Sequence, residues 1–149
     1  MFERRLQEVR KHLETSGLDA LLVSHLPHVR YLTGFSGSNG LSVITRSKQF
    51  FFTDNRYREQ SKSEIDGFEI IVTSDTLLKA ARKRGMLNGK KRIGFESQYL
   101  SVSVFENLKT LFPSASFVSK SSVIENIAAV KEESEIEAIK QAAAITDKV

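Results

Sequence analysis

The sequence predicts an α/β domain of three layers, a central mixed sheet of about six strands flanked by helices. Three observations carry that prediction. Apolar runs of strand length alternate with stretches of helical period. The first such run, "ALLVS", is apolar throughout, as a strand covered on both faces must be. Two further runs, "LSVIT" and "QFFFT", are separated only by the polar "RSK", which reads as a hairpin and makes the sheet mixed rather than purely parallel.

Taken in order, Phe2, Leu6, Val9 and Leu13 recur at spacings of four, three and four, so the chain opens with an amphipathic helix that Gly17 can close. The strand "DALLVS" follows. The stretch from His25 to Gly40, "HLPHVRYLTGFSGSNG", reads as a loop whose aromatic residues and glycine hinges have the composition of a lid. After the hairpin, Asp54 or Asn55 can cap a polar helix through "RYREQSKSEI", and "FEIIVT" returns to strand. "DTLLKAARKRG" is a second capped helix ending at a glycine, and "KRIGFES" is the next strand. Val104, Leu108 and Leu111 mark the inner face of a helix that Pro113 stops, and "ASFVSK" is the last strand. From Glu132 a final helix begins with four glutamates in its opening turns, where the helix dipole favours negative charge, and carries Ile136, Ile139, Ala143 and Thr146 on one face. It reaches Val149 with no Gly or Pro to end it. This pattern suggests a domain over 1–131 and, over 132–149, the start of a helix leading into further protein.

Composition narrows the function classes. With 149 residues and 40% hydrophobic content the chain can bury one ordinary core. It has no cysteine, so neither a disulfide framework nor a thiol nucleophile is available, and a reducing, cytoplasmic setting is expected. No apolar stretch approaches the roughly 20 residues of a membrane span, so no membrane partner is expected. The net charge of +4 is modest, and the basic stretches "ARKRG" and "GKKRIG" lack interleaved aromatics, so they read as solvated faces rather than nucleic-acid contacts.

The glycine-rich segment fails the motifs it resembles superficially. Neither Ser36 nor Ser38 has glycine on both sides at the spacing of a nucleophile elbow. No lysine stands between His25 and Gly40 to reach a phosphate, and "GSNG" lacks the intermediate glycine of a dinucleotide loop. His25 and His28 are three apart, but Pro27 between them argues against one helical face presenting both to a metal, so His28 reads as a loop-packing residue and no metal ligand is assigned. His12 falls on the polar side of the first helix and is expected to be solvated. Asp54 and Arg56 leave the end of a strand, where α/β domains place functional loops; a capping Asp with a surface ion pair and a functional role are equally open there.

Four stretches together, "LDALLVSHLPHVRYLTGFSGSNG", "FFTDNRYREQ", "RIGFES" and "AAVKEESEIEAIKQAAAITD", resemble successive landmarks of the N-terminal domain of the creatinase/prolidase/aminopeptidase P family, the Xaa-Pro peptidases. The resemblance spans essentially the whole chain. It implies the creatinase N-terminal fold, ribonuclease H-like, joined to an absent C-terminal catalytic domain in which two Asp, one His and two Glu hold two divalent metal ions, Mn, Co or Zn. It implies no catalytic or metal-binding residue and no cofactor within this chain. The implied partners are that C-terminal domain, a second copy in a homodimer, and short proline-containing peptides as substrates of the whole enzyme. By the same resemblance Tyr31 to Gly40 forms a lid or wall, with His28, Tyr31, Phe35 and Arg56 governing substrate access or specificity and Asp54 and Tyr57 supporting them. The other readings left open are a creatinase-like hydrolase and a catalytically dead, protein-binding module.

Overall fold

A computed structural model describes residues 2–90 and 92–146. The chain forms α1 (Phe2–Thr15), β1 (Ala20–Val23), α2 (Leu26–Thr33), β2 (Leu41–Thr45), β3 (Gln49–Asp54), a 3₁₀ turn (Asn55–Tyr57), α3 (Arg58–Glu64), β4 (Glu69–Thr73), α4 (Leu77–Lys83), β5 (Arg92–Glu96), α5 (Val102–Leu111), β6 (Ser116–Lys120), α6 (Val123–Ala129) and α7 (Glu133–Thr146). The six strands make one sheet in the order β4-β3-β2-β1-β5-β6. Only β2 opposes its neighbours; β3 with β4, β1 with β5, and β5 with β6 pair in parallel. The α/β architecture, the six strands and the β2–β3 hairpin agree with the reading of the sequence.

Alternation within the buried strands feeds two apolar layers. Leu21 and Val23 of β1 join Leu6, Val9 and Leu13 of α1 and Val29 and Leu32 of α2 on one face. Ala20 and Leu22 join Phe50, Phe52, Ala80, Ala81, Phe95 and Leu108 on the other, under α4 and α5. With both faces covered, β1 must be apolar at every position, and all four of its residues are buried.

Three expectations are corrected. The segment from His25 to Gly40 is not a loop throughout, because Leu26–Thr33 is helical. Pro27 sits within the first turn, where its missing N–H would find no intrahelical partner anyway, and Gly34 ends the helix at φ 83° with its N–H on the Arg30 carbonyl. The helix α6 was not foreseen. It has seven residues, and Ser122 before it adopts φ 57° without capping it, so its start carries no side-chain signal. On α5, Val104 is exposed while Phe105 and Leu108 pack inward, a rotation of the expected face by one residue. In α4 the cap is Thr76, whose Oγ1 accepts from Lys79 N, and Asp75 pairs with Lys83 Nζ at 2.6 Å.

His12 is half-buried, with its ring 3.3 Å from Ser16 Oγ, and burial followed by the charge of Lys120 lowers its pKa. None of the side chains of α7 is buried, and Ile136 and Ile139 are exposed. Its unterminated end at Val149 lies outside the described residues.

Candidate functional site

Because five of the six strands run the same way, their C-terminal ends gather at one edge of the sheet, where α/β folds place ligand sites. Two polar clusters stand there.

The first is built on the hairpin. The register pairs Leu41 with Phe52, and continuing it two residues outward sets Asn39 against Asp54. Asn39 Nδ2 donates to Asp54 Oδ2 at 2.6 Å, and the Thr53 hydroxyl donates to the Asn39 carbonyl at 2.6 Å. Asp54 caps the 3₁₀ turn by accepting from Arg56 N, and also receives Arg56 Nε at 3.0 Å and Nη2 at 2.8 Å. These bonds from Arg56, and then that from Asn39, hold the Asp54 carboxyl well below the usual carboxylate range. The Arg56 side chain is nevertheless 69% exposed, so the ion pair offers a charged surface.

The loop before β2 is tied to the same platform. Tyr57 Oη and Ser38 Oγ share a 2.6 Å hydrogen bond, which lowers the Tyr57 pKa. Ser36 donates from both its N and Oγ to the Glu64 carboxylate, each at 2.8 Å, and these bonds lower the Glu64 pKa. Phe35 is 1% exposed, edge-on to Tyr57 at 5.4 Å and tilted against Phe51 at 4.7 Å. Phe35, expected to govern substrate access, is a buried anchor of the loop. Its apolar ring stays out of water, and a Cβ at Gly37 would collide with it.

The second cluster lies where β1 and β5 end. Glu96 Oε2 accepts from Ser24 N at 2.8 Å and His25 N at 2.9 Å, while its Oε1 lies 2.5 Å from His28 Nδ1. His28 Nε2 is 3.8 Å from Glu125 Oε1, which takes the Tyr99 hydroxyl at 2.8 Å. The His25 ring stacks on Tyr99 at 3.7 Å and is edge-on to His28 at 4.6 Å. The histidines thus converge despite Pro27, since the proline ring is tolerated in the first turn. Among the described residues, however, no three His, Asp or Glu side chains are grouped to hold a metal ion. Among these residues no donor set fits the pair of divalent ions that the resemblance implies.

Tyr31 belongs to neither cluster. Its ring lies 4.0 Å beneath the Arg5 guanidinium, and its carbonyl accepts from Arg5 Nη1 at 2.6 Å. Arg5 also bonds Glu132 at 3.2 Å and pairs with Glu135 at 3.3 Å, so Tyr31 marks the junction of α1, α2 and the start of α7. The lid expected from Tyr31 to Gly40 is therefore split, with Tyr31 to Thr33 in a packed helix and only the rest forming the loop.

Of the sequence-derived residues, the structure brings Phe35, Asp54, Arg56 and Tyr57 together and leaves His28 and Tyr31 apart. It adds Asn39, Ser38, Glu64, Glu96, Tyr99 and Glu125. The hairpin register could have revealed Asn39; the carboxylates of Glu64, Glu96 and Glu125 reach these partners over 26 to 72 positions of chain and left no local signal. Chemically, the edge fixes a loop and presents a charge-compensated guanidinium.

Comparison with known proteins adds an independent line. The model of the Creatinase/Prolidase N-terminal domain matches residues 5–130. An uncharacterised peptidase of Bacillus subtilis is 34% identical over 143 residues, which are 96% of this chain and 40% of that protein. A solved Xaa-Pro dipeptidase from Bacillus anthracis superposes with a TM-score of 0.91 at 28% identity, over 99% of this chain and 41% of that one. The isolated N-terminal domain of a cytoplasmic peptidase from Mycobacterium tuberculosis superposes with a TM-score of 0.76 at 31% identity, over 83% of this chain and 97% of that one. The chain thus spans about two fifths of the length of the curated relative. Fold, landmarks and family match agree: the chain belongs to the creatinase/prolidase N-terminal domain family.

Proposed function

We propose that this chain serves as the non-catalytic N-terminal domain of a metal-dependent Xaa-Pro aminopeptidase or dipeptidase, acting in the cytoplasm and contributing dimerisation and substrate access. The observation that carries this reading is the coverage: nearly all of the chain superposes on two fifths of a protein described as an Xaa-Pro dipeptidase. An Xaa-Pro bond is a tertiary amide with no N–H and a fixed φ, so a peptidase for it gains from a wall that selects short peptides by shape and charge. The strand edge supplies suitable parts, a loop pinned by Phe35, Ser36 and Ser38 and the exposed Arg56 guanidinium beside it. The divalent ions belong with the catalytic domain, where they would activate water and polarise the scissile carbonyl. The domain's task is to position, and the reacting groups lie elsewhere.

The test has two arms. The purified chain, supplied with Mn(II), is expected to leave an Xaa-Pro dipeptide intact, while the same chain joined to its catalytic domain cleaves it. In that joined enzyme, Arg56→Ala is expected to change KM or kcat on the peptide. Cleavage by the chain alone overturns the proposal, and unchanged constants remove Arg56 from substrate access.

A further inference from the structure

Between the two polar clusters the sheet order turns. From β1 the chain builds β2, β3 and β4 on one side, then crosses to place β5 and β6 on the other. Strands diverging at such a switch point leave a crevice outside their C-terminal ends. Here α4 packs on β3 and β4 and meets α5, and a gap remains between the two helices over Leu22, Leu41 and Phe95. The opening that results has a volume of about 380 Å³, within the range of about 300–1,000 Å³ typical of small-molecule sites.

Its lining is chemically selective. Leu22, Leu41, Phe95 and Leu108 form the floor and Leu77 and Leu100 the walls, whereas Ser24, Asn39, Thr76 and Asn107 supply polar groups and no lining residue is charged. A ligand ion would lose its hydration with no opposite charge to replace it, so charged molecules are disfavoured. An apolar body is favoured by the floor, and amide or hydroxyl donors and acceptors by the rim. The floor is recessed: Leu22 and Leu41 are each 4% exposed, while Val104 on the rim is 37% exposed. A flat protein surface would meet only the rim, whereas a small molecule can reach the floor. Asn39 is held in place by its bond to Asp54, so one polar group of the site is preorganised.

We propose that this crevice is a binding site for a small, uncharged, apolar molecule carrying an amide. The site stands on its own geometry and does not depend on the peptidase reading.

N-acetyl-L-leucinamide is the probe, added to the 149-residue chain while backbone amide NMR spectra are recorded. Saturable shifts in the millimolar range are expected, confined to the ends of β1 and β5, the start of β2, the start of α4 and the stretch of α5 around Val104 to Leu108. Val104→Glu, an exposed rim change that leaves the core intact, is expected to weaken binding about tenfold or more, and Asn107→Asp to weaken it as well. N-acetylglycinamide, which lacks the apolar body, and zwitterionic leucine, which carries charge, are expected to bind at least about tenfold more weakly than the probe. Shifts that do not saturate, shifts centred elsewhere, or equal affinity of the wild type and both variants would overturn the proposal.

Discussion

Asn39 and Asp54 face each other across the β2–β3 hairpin, joined by a 2.6 Å hydrogen bond from Nδ2 to Oδ2 that ties the loop before β2 to the turn after β3. Asp54 also accepts three bonds from Arg56, and its ionised form is favoured by all of them. Removing either partner should raise its pKa. Arg56→Ala is expected to raise it further than Asn39→Ala, because the Arg56 bonds are the larger cause. Carboxyl NMR titration of the three proteins checks the order, and a larger rise for Asn39→Ala would contradict it.

Glu64 gives the loop a pH dependence of definite sign. Its pKa is lowered from 4.5 in the folded chain, chiefly by the Ser36 N–H. A depressed carboxyl contributes stability that is fully present above the unfolded value and is lost as pH falls through the lower folded one. The Ser36 amide shift should therefore titrate with a midpoint below 4.5, and Glu64→Gln should abolish that titration. A midpoint above 4.5 would show that the carboxylate is not the group that holds the loop.

Gly37 is required by close approach. A Cβ there would lie 2.8 Å from Tyr57 Cδ1 and would also overlap the Phe35 ring. Phe35 is packed against Phe51 and cannot retreat freely. Gly37→Ala is expected to destabilise the chain by about 1–3 kcal/mol, read as a lowered urea midpoint with unchanged slope.

Glu96 is the acceptor on which the second cluster depends, buried with both oxygens in use. Glu96→Ala removes both acceptor oxygens, leaving the Ser24 and His25 N–H groups without their partner. A loss of about 1–3 kcal/mol is expected, with faster hydrogen exchange at Ser24 and His25. Exchange unchanged at those amides would refute the assignment.

Arg5 is 5% exposed and joins α1 to Tyr31 and to the two glutamates at the start of α7. Because no residue of α7 is buried, these bonds fix where that helix leaves the domain. Arg5→Ala should raise the pKa of Glu132, whose Arg5 and Arg4 contacts outweigh its burial, and should speed exchange in the first turn of α7 while leaving β1 protected. Uniform destabilisation of sheet and helix alike would count against this local role.

The alternation of apolar runs, the hairpin and the first helix were determined by the sequence itself, because each depends on contacts between near neighbours or on a period that a folded layer imposes. Asp54 as a cap and its pairing with Arg56 were legible for the same reason, lying two residues apart. Helix α2 is hidden from a local reading because proline is tolerated in a first turn and breaks a helix further in, and only the fold puts Pro27 in a first turn. The burial of Phe35, the carboxylate of Glu96 beneath His28, the Arg5 junction and the crevice over β1 were decided only by the tertiary structure. Each joins chain segments far apart in sequence, and their meeting is set by strand order and helix packing, for which no local pattern of residues codes.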